Sequence, residues 1–378
     1  MRIAFLSTFY PLRGGIAQFN AALYRALEKT HEVQAFTFTR QYPGLFFPGT
    51  TQYVTADDQA DPVPAQPVLD SINPLSYFKT AALIRVCRPD LLLTKFWMPF
   101  FAPSLGTVAQ YVRRQGAKAI AILDNLLPHE RRPGDLQLIR YFLNRCDGFV
   151  VMSKVVEQEL LHLKPGARYL LKAHPHYDHF GPPLASDQAR ARLGLPATQP
   201  VILFFGFIRD YKGLDQLIRA TALLPDDYCV VIAGEMYGAF DRYQRLIDAS
   251  GAAGKIRLFV RYIADAEVPL FFSAANVCVL PYKSATQSGI VQIAFHFNLP
   301  VIVTDVGGLA EMVQDNETGL ILRAHDPQAL AQKIRAYFEG NMQLRMAQAI
   351  AQRRHQNSWE GFAQALVEFY EKLPERAN

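Results

Sequence analysis

Short apolar runs recur along this chain, and their placement predicts an architecture before any single residue suggests a chemistry. In the first half, strands are expected at Arg2–Ser7, Val33–Phe38, Leu91–Lys95, Ala119–Leu123 and Phe149–Met152, with helical stretches between several of them. In the second half they are expected at Val201–Phe205, Cys229–Ala233, Ile256–Val260, Val277–Leu280 and Val301–Thr304. Val201–Phe205 is apolar throughout, the pattern of a strand covered on both faces. Strands alternating with helices on this scale predict two α/β halves, each a doubly wound parallel sheet. Tyr42–Pro74 is rich in Pro, Gly, Asp and Thr and reads as a long loop or irregular insertion. Gly181-Pro182-Pro183 marks a linker, and a short helix, Ser186–Leu193, opens the second half. No internal repeat is visible.

Composition adds limits. A chain of 378 residues exceeds the size that one core usually serves, so two domains are expected. Four cysteines (Cys87, Cys146, Cys229, Cys278) lie far apart without metal-ligand spacing and read as reduced core residues of a cytosolic protein. The apolar part of Met1–Ser7 has the length of one strand, not of a signal peptide. Phe96–Leu105, the longest apolar stretch, holds two prolines and is far short of the roughly 20 residues of a spanning helix. Its aromatic content suits either contact with lipid or a lipid-linked acceptor, or a packed wall between domains.

Charge is uneven. Residues 1–195 carry 22 Lys+Arg and 15 Asp+Glu, a net +7, while residues 196–378 are slightly negative. Such asymmetry suggests a face that meets an anionic partner such as a membrane surface, with Arg113, Arg114, Lys118, Arg131 and Arg132 as candidates. A solvated basic face accounts for the same residues. Nucleic acid is not an expected partner, because these cations are not interleaved with stacking aromatics.

The richest chemistry lies between Tyr282 and Glu311. A small-polar loop, Ser284 to Gly289, runs into an apolar helical stretch from Ile290, so backbone N–H groups at a helix start would face an anion. Pro300 then opens the strand Val301–Thr304, which ends in Asp305-Val306-Gly307-Gly308, a loop able to approach a ligand closely. Eighty residues earlier, VILFFGFIRDYKGLDQLIRA reads as a buried strand, a turn at Gly206, a loop carrying Arg209 and Lys212, and a helix after Gly213. Two cations at the carboxyl end of a parallel strand suit a diphosphate, although solvated loop charges are the commoner fate of Lys and Arg.

The ordered segments FFGFIRDYKGLDQLIRA, VVIAGEMY, FFSAANVCVLPYKSATQSGIVQIAF and LPVIVTDVGGLAEMV resemble the C-terminal half of retaining GT-B glycosyltransferases of family four, the glycosyl transferases group 1. MRIAFLSTFYPLRGGIAQFNAALYRAL, AILDNLLPHERR, CDGFVVMSKVVEQEL and HPHYDHF fall where the N-terminal half of that family carries comparable segments. The resemblance implies two Rossmann-like α/β domains facing a central cleft. Residues 1–182, joined by a final helix at 358–378, would form the acceptor-side domain, and residues 196–357 the nucleotide-sugar-binding domain. Trp359–Tyr370 is the segment expected to return to the first domain.

It further implies transfer of a sugar, with retention, from a nucleoside diphosphate sugar to a saccharide or lipid-linked saccharide. The protein would work in the cytoplasm, at the inner face of the membrane if the acceptor is lipid-linked. No cofactor or metal is implied, since Arg209, Lys212 and the amides of Gly289, Ile290 and Val291 would stabilise the departing diphosphate. Thr286, Gln287 and Ser288 complete the donor loop, and Glu235, Ile263 and Gly14-Gly15 are further donor candidates by position. Glu311 is a candidate for the ribose or for a charge at a helix start.

Two departures bear on activity. The family's E-x7-E carboxylates are missing: one register places Thr286 and Ala294 there, the other Ala285 and Ile293. Gln292 is the candidate to hold the donor ribose with a neutral bond, or is an ordinary polar neighbour of the loop. Where many members carry a His-Asn pair near the transferred sugar, this chain has Asp124-Asn125, able to bond a sugar or acceptor hydroxyl or to cap the turn. His129 and Glu130 lie close by in sequence. The missing glutamates keep a catalytically silent nucleotide-sugar-binding relative as an alternative, and a GT-B sugar-nucleotide epimerase is a third reading that lacks its acid/base carboxylates.

Overall fold

Parallel strands buried on both faces require helices above and below, and both sheets of this chain are built so. The structure, a computed structural model, describes residues 1–43, 51–54, 60–128, 132–175, 180–236, 239–285, 288–353 and 358–375. They divide into two compact units, one drawn from residues up to 175 together with the C-terminal residues from 358, the other from residues 180–353.

The first unit holds β1 (Arg2–Leu6), β2 (Glu32–Arg40), β3 (Ala65–Asp70), β4 (Leu91–Phe96), β5 (Lys118–Leu123), β6 (Gly148–Val151) and β7 (Tyr169–Leu171). Their order is β3-β2-β1-β4-β5-β6-β7 and each pairing is parallel. The second unit holds β8 (Val201–Phe205), β9 (Cys229–Ala233), β10 (Ile256–Phe259), β11 (Val277–Leu280), β12 (Val301–Thr304) and β13 (Gly319–Leu322), in the parallel order β10-β9-β8-β11-β12-β13. Both sheets reverse direction of strand addition once, between β1 and β4 and between β8 and β11. At such a switch point the loops leaving the carboxyl ends of the two central strands diverge and leave a crevice for a ligand.

The expected strands are present within a residue or two at each end. Three more were not expected. β3 lies inside the stretch read as loop, where Pro67 and an irregular register against β2 are tolerated because the strand is at the sheet's edge. β7 and β13 are also edge strands, of three and four residues, too short to stand out from the surrounding pattern.

The first unit is completed by the Trp359–Lys372 helix. Its Trp359 and Phe362 rings meet Phe19 of the Gly15–Glu28 helix edge-on at 5.0 and 5.8 Å, and Lys118 donates to the Leu373 carbonyl at 2.7 Å. Lys118 is thereby engaged, and Arg113 is held by Asp147 at 2.9 and 2.5 Å, so neither is a free surface cation as the charge reading supposed. Arg114 is exposed, and Arg131 lies outside the described residues. Within Phe96–Leu105 only Met98 and Phe100 are exposed, each at 37%; Phe96, Phe101 and Leu105 are core. Three cysteines are buried, and Cys87, partly exposed, packs against the core at its rim. Among the described residues no helix is long and apolar enough to cross a membrane.

Candidate functional site

The loops at the carboxyl edge of the second sheet are stitched together by backbone. After β8 the chain turns at Gly206 (φ +96°) and makes a single 3₁₀ turn, Asp210–Lys212, before Gly213 (φ +70°) opens the Leu214–Ala222 helix. A side chain at Gly213 would stand 1.9 Å from the Pro281 carbonyl, and Lys283 N donates to the Tyr211 carbonyl at 2.6 Å. These contacts lock the loop after β8 to the loop after β11, the two loops that flank the switch point. Gly307 (φ +49°) likewise needs its missing side chain for the Ala285 carbonyl, 1.7 Å from where a Cβ would be. At Gly307 the close approach is to the neighbouring loop's backbone.

Lys212 is the centre of this arrangement. It is 8% exposed, its Nζ lies 5.6 Å from the centroid of the Tyr282 ring, and it has no carboxylate partner among the described residues. Burial, with a smaller contribution from the Arg209 charge, pushes the ammonium down to about 8. The nearest acid in sequence, Asp210, is turned away, bonded to Arg242 and 3.5 Å from Lys283, which also pairs with Asp215 at 2.9 Å. Arg209 is exposed beside it. The position that a Cβ of Gly206 would take is 3.2 Å from Lys212 Nζ and 3.1 Å from Ile290 Cδ1, so the buried cation and the first turn of the Gly289–His296 helix share one spot.

That helix has Ser288 as its N-cap, buried and making no cap bond with its side chain; Val291 N donates to the Ser288 carbonyl at 3.2 Å, which leaves the amides of Gly289 and Ile290 as the ones a ligand could use. Ser288 Oγ lies 3.4 Å from the Tyr282 hydroxyl, which burial holds well above its ordinary range. Gln292 is 5% exposed, and its Oε1 has no hydrogen-bond partner among the described residues. A buried orphan acceptor costs about 1–3 kcal/mol and suits a ligand hydroxyl. Glu235 and Ile263, in the loops that follow β9 and β10, are both buried, and Glu235 accepts from Ile208 N with its carbonyl at 2.8 Å. Glu311 is exposed in a 3₁₀ turn. Thr286 and Gln287 lie outside the described residues.

In the first unit, Gly14 (φ +107°) and Gly15 start the helix that follows β1, and among the described residues nothing lies within 4 Å of where a Gly14 Cβ would be. Only the backbone angle demands glycine there. Asp124 follows β5, and its Oδ1 accepts from Lys95 Nζ at 2.6 Å. Lys95, missed by the sequence reading, is a 1%-exposed lysine near the carboxyl end of the buried strand β4, with Nζ 3.4 Å above the Phe19 ring. Burial raises the carboxyl and lowers the ammonium, and each charge opposes the other's shift. Asp124 thus does more than cap a turn. Asn125 is partly buried beside it, and His129 and Glu130 lie outside the described residues.

Two family models account for most of the chain: Glycosyltransferase Family 4 over residues 13–168 and Glycosyl transferases group 1 over residues 185–355. Among curated proteins, the D-inositol 3-phosphate glycosyltransferase of Streptomyces avermitilis is 28% identical over 74% of this chain and 65% of its own length. That of Streptomyces scabiei is 29% identical over 67% of this chain and 59% of its own. The chain spans less than two thirds of the length of either. Solved structures with the same fold include a sucrose-phosphate synthase of Thermosynechococcus elongatus (TM-score 0.75, 21% identity, 99% of each chain). HepE of Anabaena, solved with UDP, is another (TM-score 0.76, 18% identity, 99% of this chain and 100% of that one). With one model on each unit and the same two-sheet plan throughout, the chain belongs to the GT-B glycosyltransferases of family four, the glycosyl transferases group 1.

Proposed function

We propose that the protein transfers a sugar from a nucleoside diphosphate sugar to a saccharide or lipid-linked saccharide, with retention and without a metal. The observation that carries this reading is Lys212, a buried cation with no carboxylate among the described residues, beside the start of the Gly289–His296 helix. A diphosphate would supply the missing negative charge. The UDP held by HepE of Anabaena supports this class of donor, and the glycosyl transfer named for the Streptomyces proteins supports this class of reaction.

In this reading the bond from the anomeric carbon to the diphosphate oxygen breaks and the electron pair leaves with the diphosphate. Lys212, Arg209 and the helix amides hold the charge that develops there, in positions that need no rearrangement. The acceptor oxygen attacks from the face the leaving group departs, and its proton passes to the departing phosphate oxygen. Gln292 Oε1 would accept a donor hydroxyl.

Calorimetry with UDP, GDP, ADP and TDP and with the matching nucleosides tests the assignment. Lys212→Ala should weaken the preferred diphosphate roughly 10- to 100-fold, the loss of a charged hydrogen bond of about 1.5–3 kcal/mol. Binding of the nucleoside should hardly change. Equal losses for both would reject the role of Lys212, and activity that vanishes in EDTA would reject metal independence.

A further inference from the structure

The first unit carries an apolar face that none of this chemistry uses. The Pro74–Val86 helix turns Tyr77, Thr80, Ala81 and Ile84 into the core. On its other side Leu75, Phe78 and Val86 are 77%, 45% and 80% exposed, and Ala82 is exposed with them. Spacings of three, four and four residues put these on one stripe of a 3.6-residue helix, opposite the buried side. From 75 to 86 the stripe is about 16 Å long, and Ile72, 45% exposed, extends it beyond the helix start. Scattered apolar residues on a surface are ordinary, but a contiguous row of them marks a contact surface.

The surrounding charge selects the partner. Lys79 and Arg85 border the stripe on its two sides, and Arg88 follows just past the helix end. Phe78 meets Tyr111 of the adjacent Ala102–Arg113 helix edge-on at 5.1 Å, and Arg114 lies 4.6 Å over that Tyr111 ring. None of these four cations has an ion-pair partner among the described residues. The nearest acids in sequence, Asp70 and Asp90, are taken by Arg40 and Arg2. A second copy of the chain would set these same cations against one another. A bilayer containing anionic lipid satisfies both halves of the pattern, since apolar side chains enter the acyl boundary and cations meet the phosphates.

We infer that the Ile72–Val86 face, with Arg88 and Arg114, docks the protein on an anionic lipid bilayer. The inference stands apart from the donor chemistry and, of the cations the charge reading first suggested, keeps only Arg114. Sedimentation of the full chain with vesicles of phosphatidylcholine, with and without phosphatidylglycerol, tests it. Binding should require phosphatidylglycerol, and both a Leu75→Glu/Phe78→Glu variant and a Lys79→Glu/Arg88→Glu variant should lose about tenfold or more in partitioning. All four side chains are exposed, so thermal midpoints should stay near that of the parent. Parent protein that ignores phosphatidylglycerol vesicles, or variants that bind them as the parent does, would overturn the inference. So would a parent dimer in light scattering that Leu75→Glu/Phe78→Glu converts to monomer, because the face would then be a contact between copies.

Discussion

Each unit buries a lysine near the carboxyl edge of its sheet, and the two lysines differ in what surrounds them. Lys95 is paired within the protein to Asp124 at 2.6 Å, whereas Lys212 faces no carboxylate among the described residues. Burial pushes both ammoniums down; the Asp124 charge opposes that at Lys95, and the Arg209 charge adds to it at Lys212. One site is electrically closed. The other is left open for an anion. The contrast teaches that a buried cation is informative only together with its partner: a neutral pair suits a hydroxyl-rich ligand, an unpaired cation a phosphate.

The largest expected effect breaks the closed site. Lys95→Ala leaves the Asp124 carboxylate without its cation, and loss of one member of a buried pair costs about 3–5 kcal/mol. Asp124 is 22% exposed, so water softens this, and about 2–4 kcal/mol should be lost in urea unfolding. Lys212→Ala removes an unpaired, desolvated charge and should leave stability equal or higher. Similar losses in both variants would erase the contrast.

A smaller effect sharpens it through pH. Lys212 titrates near 8 when folded, below its ordinary 10.5, so protons leave the folded state first and this group favours folding increasingly as pH rises through that window. A bound diphosphate wants the protonated form. Nucleoside diphosphate affinity should therefore fall about tenfold between pH 7 and 9, with proton uptake on binding at the higher pH. The fall should vanish in Lys212→Ala; a parent profile as flat as the variant's would sink the assignment.

The smallest effect concerns Gln292. Removing a neutral hydrogen bond of about 0.5–1.5 kcal/mol should raise the donor KM of Gln292→Ala up to roughly tenfold, with kcat within several-fold. A variant that behaves like the parent would make Gln292 a bystander, and the catalytically silent reading would then gain weight.

The two central sheets were legible because parallel strands such as Val201–Phe205 and Leu91–Phe96 are apolar on both faces. Three of the four edge strands escaped notice; Ala65–Asp70, for one, is only partly covered and tolerates Pro67. In the site, Lys212 stood out by its place after a strand, but that it is buried and Arg209 is not depends on how the 3₁₀ turn folds. Lys95 went unread although a signal existed: a lysine inside LLLTKF, between residues that must all be covered, needs a partner. The tie between Gly307 and Ala285 was beyond reach, because it joins two loops that sequence shows only as separate glycine-rich and small-polar segments.

The return of the Trp359–Lys372 helix to the first unit has a consequence for synthesis. Phe19, Lys95 and His174 emerge from the ribosome early, but Trp359 and Phe362, which close over Phe19, follow only after the second unit has been made. At about 5–20 residues per second the intervening stretch takes on the order of 10–40 s. Throughout that interval the Phe19 ring lacks the aromatic cover of the Trp359–Lys372 helix, while the second unit, whose described residues form one continuous segment, is free to complete itself. Arrival of the Trp359–Lys372 helix is thus the step that completes the core of the early half.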